Sequence, residues 1–194
     1  MLFRSNEEIT QSTDHLCFDL QKKGLKICHL NVRSLSDHFE EIRALMHINK
    51  FDMLAMSETW LNSTWSDPGL PIDGYSLYRC DRVGFKGGGT AIYAKDSLVC
   101  RRIELFDKET NAEYVCLKIK QHSAGPKFLF AVFYRPPNSP VEIYNHISNL
   151  LVTASCHCDE IILTGDFNVD VLNTMNANSP FYSCVLGCQA FEWE

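Results

Sequence analysis

Ile161-Ile162-Leu163-Thr164-Gly165-Asp166-Phe167-Asn168 is a strand-sized run of β-branched and aliphatic residues that ends at a glycine. A carboxylate and a carboxamide follow it, two positions apart. In extended or turning backbone, residues i and i+2 project to the same side. Asp166 and Asn168 are therefore expected together at the mouth of a buried strand. The aspartate brings negative charge for a proton or a cation, and the asparagine brings a neutral donor for an anionic oxygen. Phosphoester hydrolysis assisted by a hard metal ion calls for that pair of groups.

Earlier stretches repeat the arrangement. Residues 25–30 form a short apolar run ending at Asn31, and residues 51–56 form a second ending at Ser57-Glu58. Between them, Ser36 and Asp37 offer N-cap chemistry for an amphipathic helix reaching residue 48, with Phe39, Ile42, Leu45 and Met46 on one face. Pro68, Gly69, Pro71 and Gly74 make residues 62–74 a loop. Strands are expected at 75–79, 90–94, 99–105, 114–120 and 127–134, with a glycine-rich hairpin turn at 84–89. No Lys-Ser/Thr follows Gly87-Gly88-Gly89, so this run is not a phosphate-binding P-loop. Pro136-Pro137 stops the strand that carries Tyr134, residues 141–154 have helical period, and the Ile161 strand comes next. The order implies two sheets packed face to face with helices outside, an α/β sandwich rather than a doubly wound sheet.

The bulk numbers agree with one soluble domain. The chain has 194 residues, 45% hydrophobic and 22% charged, without repeats or a membrane-length apolar segment. Residues 1–24 read as a polar arm and not a signal peptide, which places the chain inside the cell, in the nucleus or cytoplasm. Nine cysteines then read as reduced thiols. Cys156-His157-Cys158 and the Cys184/Cys188 pair lack the usual C-x-x-C zinc spacing. A net charge of −6 argues against holding nucleic acid by bulk electrostatics. A divalent ion with a local rim of Arg79, Arg82, Lys86, Arg101 and Arg102 would offset it.

Asn31, Glu58, Tyr134 and the Asp166/Asn168 pair thus sit at strand ends, where rigid strands aim side chains into a common crevice. Glu58 is an oxygen ligand suited to Mg²⁺. Each residue also has a commoner use: an Asx turn at Asn31, a helix start at Glu58, packing against proline at Tyr134, turn formation at Asp166 and Asn168. Their order carries more than any one of them. Asn31-Val32-Arg33-Ser34-Leu35, Ser57-Glu58-Thr59-Trp60-Leu61, Asp81-Arg82 with Gly87-Gly88-Gly89-Thr90-Ala91-Ile92-Tyr93, Tyr134-Arg135-Pro136-Pro137 and Gly165-Asp166-Phe167-Asn168 resemble, in order and spacing, the endonuclease/exonuclease/phosphatase family. The likeness is greatest to the endonuclease domain that opens non-LTR (LINE-type) retrotransposon polyproteins, and covers residues 26–170.

The resemblance implies a four-layered α-β-β-α sandwich related to DNase I, spanning residues 25–173 and incomplete at its C-terminal end, with 174–194 an unrelated or disordered tail. It implies Mg²⁺, or Mn²⁺, held by Glu58 with Asn31 close by. Asp166 would orient or deprotonate the attacking water. Asn168 and Tyr134 would hold the scissile phosphate, with Arg82 and Arg135 on the phosphate or DNA. The implied substrate is DNA, with no membrane and no obligate protein partner. Family members close with a Ser-Asp-His-like motif preceded by another Asp, whereas no Asp or His follows Asp170 here. The chain is therefore expected to be an incomplete copy with weak or absent activity. Another phosphoesterase of the superfamily (an inositol phosphatase or a sphingomyelinase-like enzyme), or a non-catalytic remnant that binds nucleic acid or protein, is the alternative.

Overall fold

The computed structural model describes residues 24–105, 113–120, 127–158 and 160–170. Both the N-terminal arm and the tail expected from the sequence, with Cys184 and Cys188, lie outside or almost wholly outside these residues. Eight strands and two longer helices follow in the order β1 (Ile27–Asn31), α1 (Phe39–Asn49), β2 (Met53–Ser57), β3 (Tyr75–Cys80), β4 (Thr90–Lys95), β5 (Val99–Arg102), β6 (Glu113–Lys120), β7 (Lys127–Tyr134), α2 (Ile143–Ser155) and β8 (Ile161–Asp166). They make two four-stranded sheets, β1-β2-β4-β3 and β5-β6-β7-β8. Each sheet is antiparallel except where a helix crosses over, β1 to β2 through α1 and β7 to β8 through α2, and those pairs are parallel.

Alternation along the strands sorts the layers. Leu54, Met56, Ala91 and Tyr93, with Cys28 and Leu30, pack against Ile42, Leu45 and Met46 of α1. Cys116, Leu129, Ala131 and Phe133 pack against Ile147, Leu150 and Leu151 of α2. The intervening residues, among them Met53, Ala55, Ile92, Ala94, Val115, Leu117, Phe130 and Val132, fill the space between the sheets. Helix, sheet, sheet, helix: the sandwich is four-layered, and its inner strands β2, β4, β6 and β7 are buried almost throughout because both faces are covered.

The element ends moved by a residue or two, as helix and strand ends do. Helix α1 begins at Phe39, behind His38, with no side-chain cap from Ser36 or Asp37. Ser36 instead meets Ser34 through their hydroxyls. The glycine-rich stretch does join an antiparallel pair, β3 and β4, over residues 81–89. The loop at 62–74 contains one short 3-10 turn, Asp67–Gly69.

Candidate active site

The period-two rule fixes what gathers at one end of the sandwich. The inner-face series Ile27, His29, Asn31 and Met53, Ala55, Ser57 run up the first sheet, and Asn31 pairs in register with Ser57, which pairs with Thr90. On the second sheet, Phe130, Val132, Tyr134 and Ile162, Thr164, Asp166 do the same, with Glu113, Tyr134 and Asp166 in adjacent register. The apolar interlayer thus ends in a polar rim: Asn31, Ser57 and Thr90 face Glu113, Tyr134 and Asp166.

Hydrogen bonds cross that rim. The Asn31 Nδ2 donates to Glu58 Oε1 at 3.1 Å and to Asp166 Oδ2 at 2.7 Å, bringing both carboxylates to one carboxamide. Tyr134 donates its hydroxyl to the same Glu58 oxygen at 3.2 Å, and Trp60 Nε1 donates to Glu58 Oε2 at 3.2 Å. The backbone N–H of Asn168 caps Asp166 Oδ1 at 3.1 Å in an Asx turn. Every one of these donors is neutral. Among the described residues no Lys or Arg pairs with Glu58 or Asp166. Two anionic groups side by side without a protein cation are an electrostatic deficit that a bound cation offsets.

The loops bearing these groups are fastened by backbone. Val32, Ser34 and Leu35 donate to the carbonyls of Ser57, Glu58 and Thr59, while Thr59 and Trp60 donate to Gly89 and Gly88. Such zipping holds unusual conformations: Arg33, Ser34, Glu58, Trp60 and Asn168 all have positive φ, +54° at Glu58. Non-glycine residues held there cluster where function requires a fixed geometry. Gly165 is required for a different reason. A Cβ on it would overlap the Phe133 carbonyl oxygen and lie 2.8 and 2.9 Å from that residue's carbon and nitrogen. Beyond it, Phe167 stacks on Phe133 with ring centroids 6.1 Å apart and anchors the turn that presents Asp166.

Burial, the Glu58 carboxylate and the hydrogen bond to it push the Tyr134 phenol up to about 12, so the hydroxyl stays a donor. Two residues deeper, His29 sits beneath Asn31 with its Nε2 3.3 Å from Ser57 Oγ. Burial lowers its pKa and favours the neutral ring, and the Asp166 carboxylate opposes this in part.

Asn31, Glu58, Tyr134, Asp166 and Asn168 are thus brought to one rim. Asn31 faces both carboxylates with its nitrogen, which leaves its Oδ1 as the only oxygen it has to offer. Asn168 spends one side-chain N–H on the Arg135 carbonyl at 2.8 Å. Arg135 and Arg82 have partners the sequence did not reveal. Arg135 is buried and donates to the carbonyls of Phe167, Asn168 and Ser139, its guanidinium 5.1 Å from the Tyr144 ring. It fastens the Asp166 loop to the Pro136-Pro137 turn. Arg82 is ion-paired with the buried Glu113 at 2.6 Å, and its guanidinium lies 5.6 Å from the Tyr134 ring centre. Glu113 also accepts the Gly89 N–H at 2.5 Å. Glu113 escaped the sequence reading because the strand was started at Tyr114. The signal available was its phase with Val115, Leu117 and Ile119. Of the basic rim, Arg79 pairs with Asp67 and Asp81, and Arg102 with Glu104.

Hard oxygen donors confined between neutral hydrogen-bond donors suit Mg²⁺ or Mn²⁺, so the residues present fit such an ion. No cluster of three or more His, Cys, Asp or Glu side chains occurs among the described residues, and Cys156 and Cys158 are free thiols. No described helix is long and apolar enough to cross a membrane.

Comparison with known proteins bears on the family and the fold. A model of the endonuclease/exonuclease/phosphatase family matches residues 28–181, and the chain belongs to that family, whose members are hydrolytic nucleases and phosphatases that generally use divalent metals. No curated protein matches the chain. Among solved structures it is similar to the human Nocturnin catalytic domain with bound sulfate (15% identity, 87% of this chain, 76% of that one, TM-score 0.59). It is also similar to a Bacteroides thetaiotaomicron mannosyl-6-phosphatase (18%, 84%, 71%, 0.63). A third is the endonuclease domain of TRAS1, a telomere-specific non-LTR retrotransposon (16%, 84%, 72%, 0.61). At these identities the likeness is one of fold.

Proposed function

We propose that the chain is a Mg²⁺-dependent phosphodiesterase of the DNA endonuclease type, of retrotransposon origin. The observation that carries the catalytic part is the Glu58–Asn31–Asp166 bridge, two carboxylates meeting at one carboxamide with no protein cation between them. Glu58, with Asn31 beside it, would hold the metal. A divalent ion held there would supply positive charge for phosphate oxygens and for a bound water. Asp166, oriented by Asn31 and the Asn168 N–H, takes or directs the proton of the attacking water. Asn168 has a second side-chain N–H for a phosphate oxygen, and Tyr134, which keeps its proton, would add another neutral donor once its hydroxyl turns from Glu58 to the phosphate.

The order and spacing of the five motifs support the endonuclease reading over a lipid or inositol phosphatase. The test is nicking of supercoiled plasmid with Mg²⁺, beside hydrolysis of inositol phosphates. Nicking that EDTA, Glu58→Ala and Asp166→Ala each abolish is the expected result. Nicking that survives both substitutions would remove these residues from the chemistry, and preference for inositol phosphates would overturn the substrate.

A further inference from the structure

Beside Glu58 lies a cleft of about 300 Å³ that the catalytic reading does not use, lined by Trp60, Asn62, Arg82, Phe85, Lys86 and Gly87. Its size is at the lower end for ligand sites, enough for one flat ring system. It is continuous with the rim, because Trp60 forms its wall and also donates to Glu58 Oε2. The opposite side is the β3–β4 loop. There Val83 and Phe85 are 89% and 82% exposed, an unusual display of apolar surface on one short loop.

Lys86 places its ammonium 5.5 Å from the Trp60 ring centre, and among the described residues no carboxylate pairs with it. Gly87 keeps the floor open: a Cβ there would sit 3.7 Å from Trp60 Nε1 and 3.8 Å from the nearer Arg82 amino group. Glu113 holds Arg82 in place as that wall. The loop is thus an exposed aromatic next to an unpaired cation, one step from the proposed phosphate site.

We infer that this cleft receives an unstacked nucleobase adjoining the scissile phosphate, with Phe85 against the ring face and Lys86 on the neighbouring phosphate. This rests on the phosphodiesterase reading above and narrows its substrate to nucleic acid opened or single-stranded at the cut. An aromatic face with a cation is how proteins hold single strands without sequence readout. A sugar or lipid phosphate offers no such ring to Phe85.

The test measures fluorescence anisotropy binding, in EDTA, of a short thymidine oligonucleotide and of an equally long strand with abasic sites. The wild-type chain is expected to prefer the thymidine strand by about 5- to 100-fold. Phe85→Ala should erase that preference and Phe85→Tyr should keep it, while Lys86→Ala weakens both strands alike. Phe85 is exposed, so these variants are expected to fold, which far-ultraviolet circular dichroism verifies. Equal binding of both strands by the wild type, or a preference that survives Phe85→Ala, overturns the inference. Hydrolysis of bis(p-nitrophenyl) phosphate with Mg²⁺ reports separately on catalysis. Its absence beside an intact base preference removes the enzyme reading and leaves the subsite supported.

Discussion

Replacing Gly165 by alanine is the most demanding test of how the site is built. The new methyl group would collide with the carbonyl of Phe133 on the adjacent strand, at a separation well below the 3.0 Å that real Cβ atoms respect, and its other contacts at 2.8 and 2.9 Å are also backbone. No flexible side chain can move aside. Strands β7 and β8 must part by more than an ångström at the end where they present Tyr134 and Asp166. Losing two or three ladder hydrogen bonds, at about 1 kcal/mol each, and forcing a left-handed φ, at about 1–2 kcal/mol, gives a destabilisation of roughly 3–5 kcal/mol. That is a large part of the total stability of an ordinary domain.

The control is Gly74→Ala. Gly74 also has positive φ, +81°, but a Cβ there meets nothing within 4 Å, so only the backbone strain of about 1 kcal/mol remains. Urea unfolding of the two variants separates overlap from strain. Under conditions where Gly165→Ala still folds, its phosphodiesterase rate should fall by about 10²-fold, because Asp166 is displaced from Asn31 by about the shift that costs this much in positioned chemistry. Equal midpoints for the two alanine variants would refute the claim that close approach of the strands requires the glycine.

Two further perturbations address the rim. Asn31→Asp replaces the shared donor with a third anion, so in EDTA the variant should lose about 1–3 kcal/mol, the loss being moderate because the site is open to water. Mg²⁺ should restore part of it as a thermal shift larger than the wild type shows; a variant as stable as the wild type in EDTA would contradict the bridging role. For Tyr134, the folded-state phenol lies above its ordinary value of 10.0, at about 12. Its contribution to stability is complete below pH 10 and disappears as the pH climbs towards 12, since the unfolded phenol ionises first. The stability difference between wild type and Tyr134→Phe should therefore shrink over that window in alkaline denaturation curves, and a difference constant across it would show that the phenol is not held by Glu58.

The site was legible to the extent that strand periodicity reaches it. Asn31, Tyr134 and Asp166 each end an apolar run, so the period of two already places them on one face of their strands, and the glycine before Asp166 marks a close backbone approach. What the sequence concealed were the partners of long side chains. Arg135 reads, by the resemblance, as a residue for phosphate or DNA, yet the guanidinium is buried against carbonyls of residues 139, 167 and 168, the latter two more than thirty positions away. Nothing local encodes that distance. Glu113 was hidden by one residue of strand boundary, the least certain part of any such reading. The uncapped start of α1 was concealed similarly: Ser36 and Asp37 have the right chemistry for a cap, but the backbone of residues 32–35 is already committed to the Glu58 loop, and that sets where the helix begins.

These partners show how the two sheets are joined at the rim. Asn31 and Glu58 belong to one sheet, Tyr134 and Asp166 to the other, and the sheets meet through apolar side chains that many residues can supply. The bonds that set the distance between the sheets at their functional end are few: Asn31 to Asp166, Tyr134 to Glu58, Arg82 and Gly89 to Glu113. Each joins a group on the first sheet or its loops to one on the second. The core therefore fixes the spacing coarsely, at the ~10 Å of packed sheets, and the polar bridges set it finely where a metal ion and a phosphate must fit. A substitution deep in the interlayer is then felt at the rim as a change of spacing, while one on the outer helical faces is felt mainly as stability.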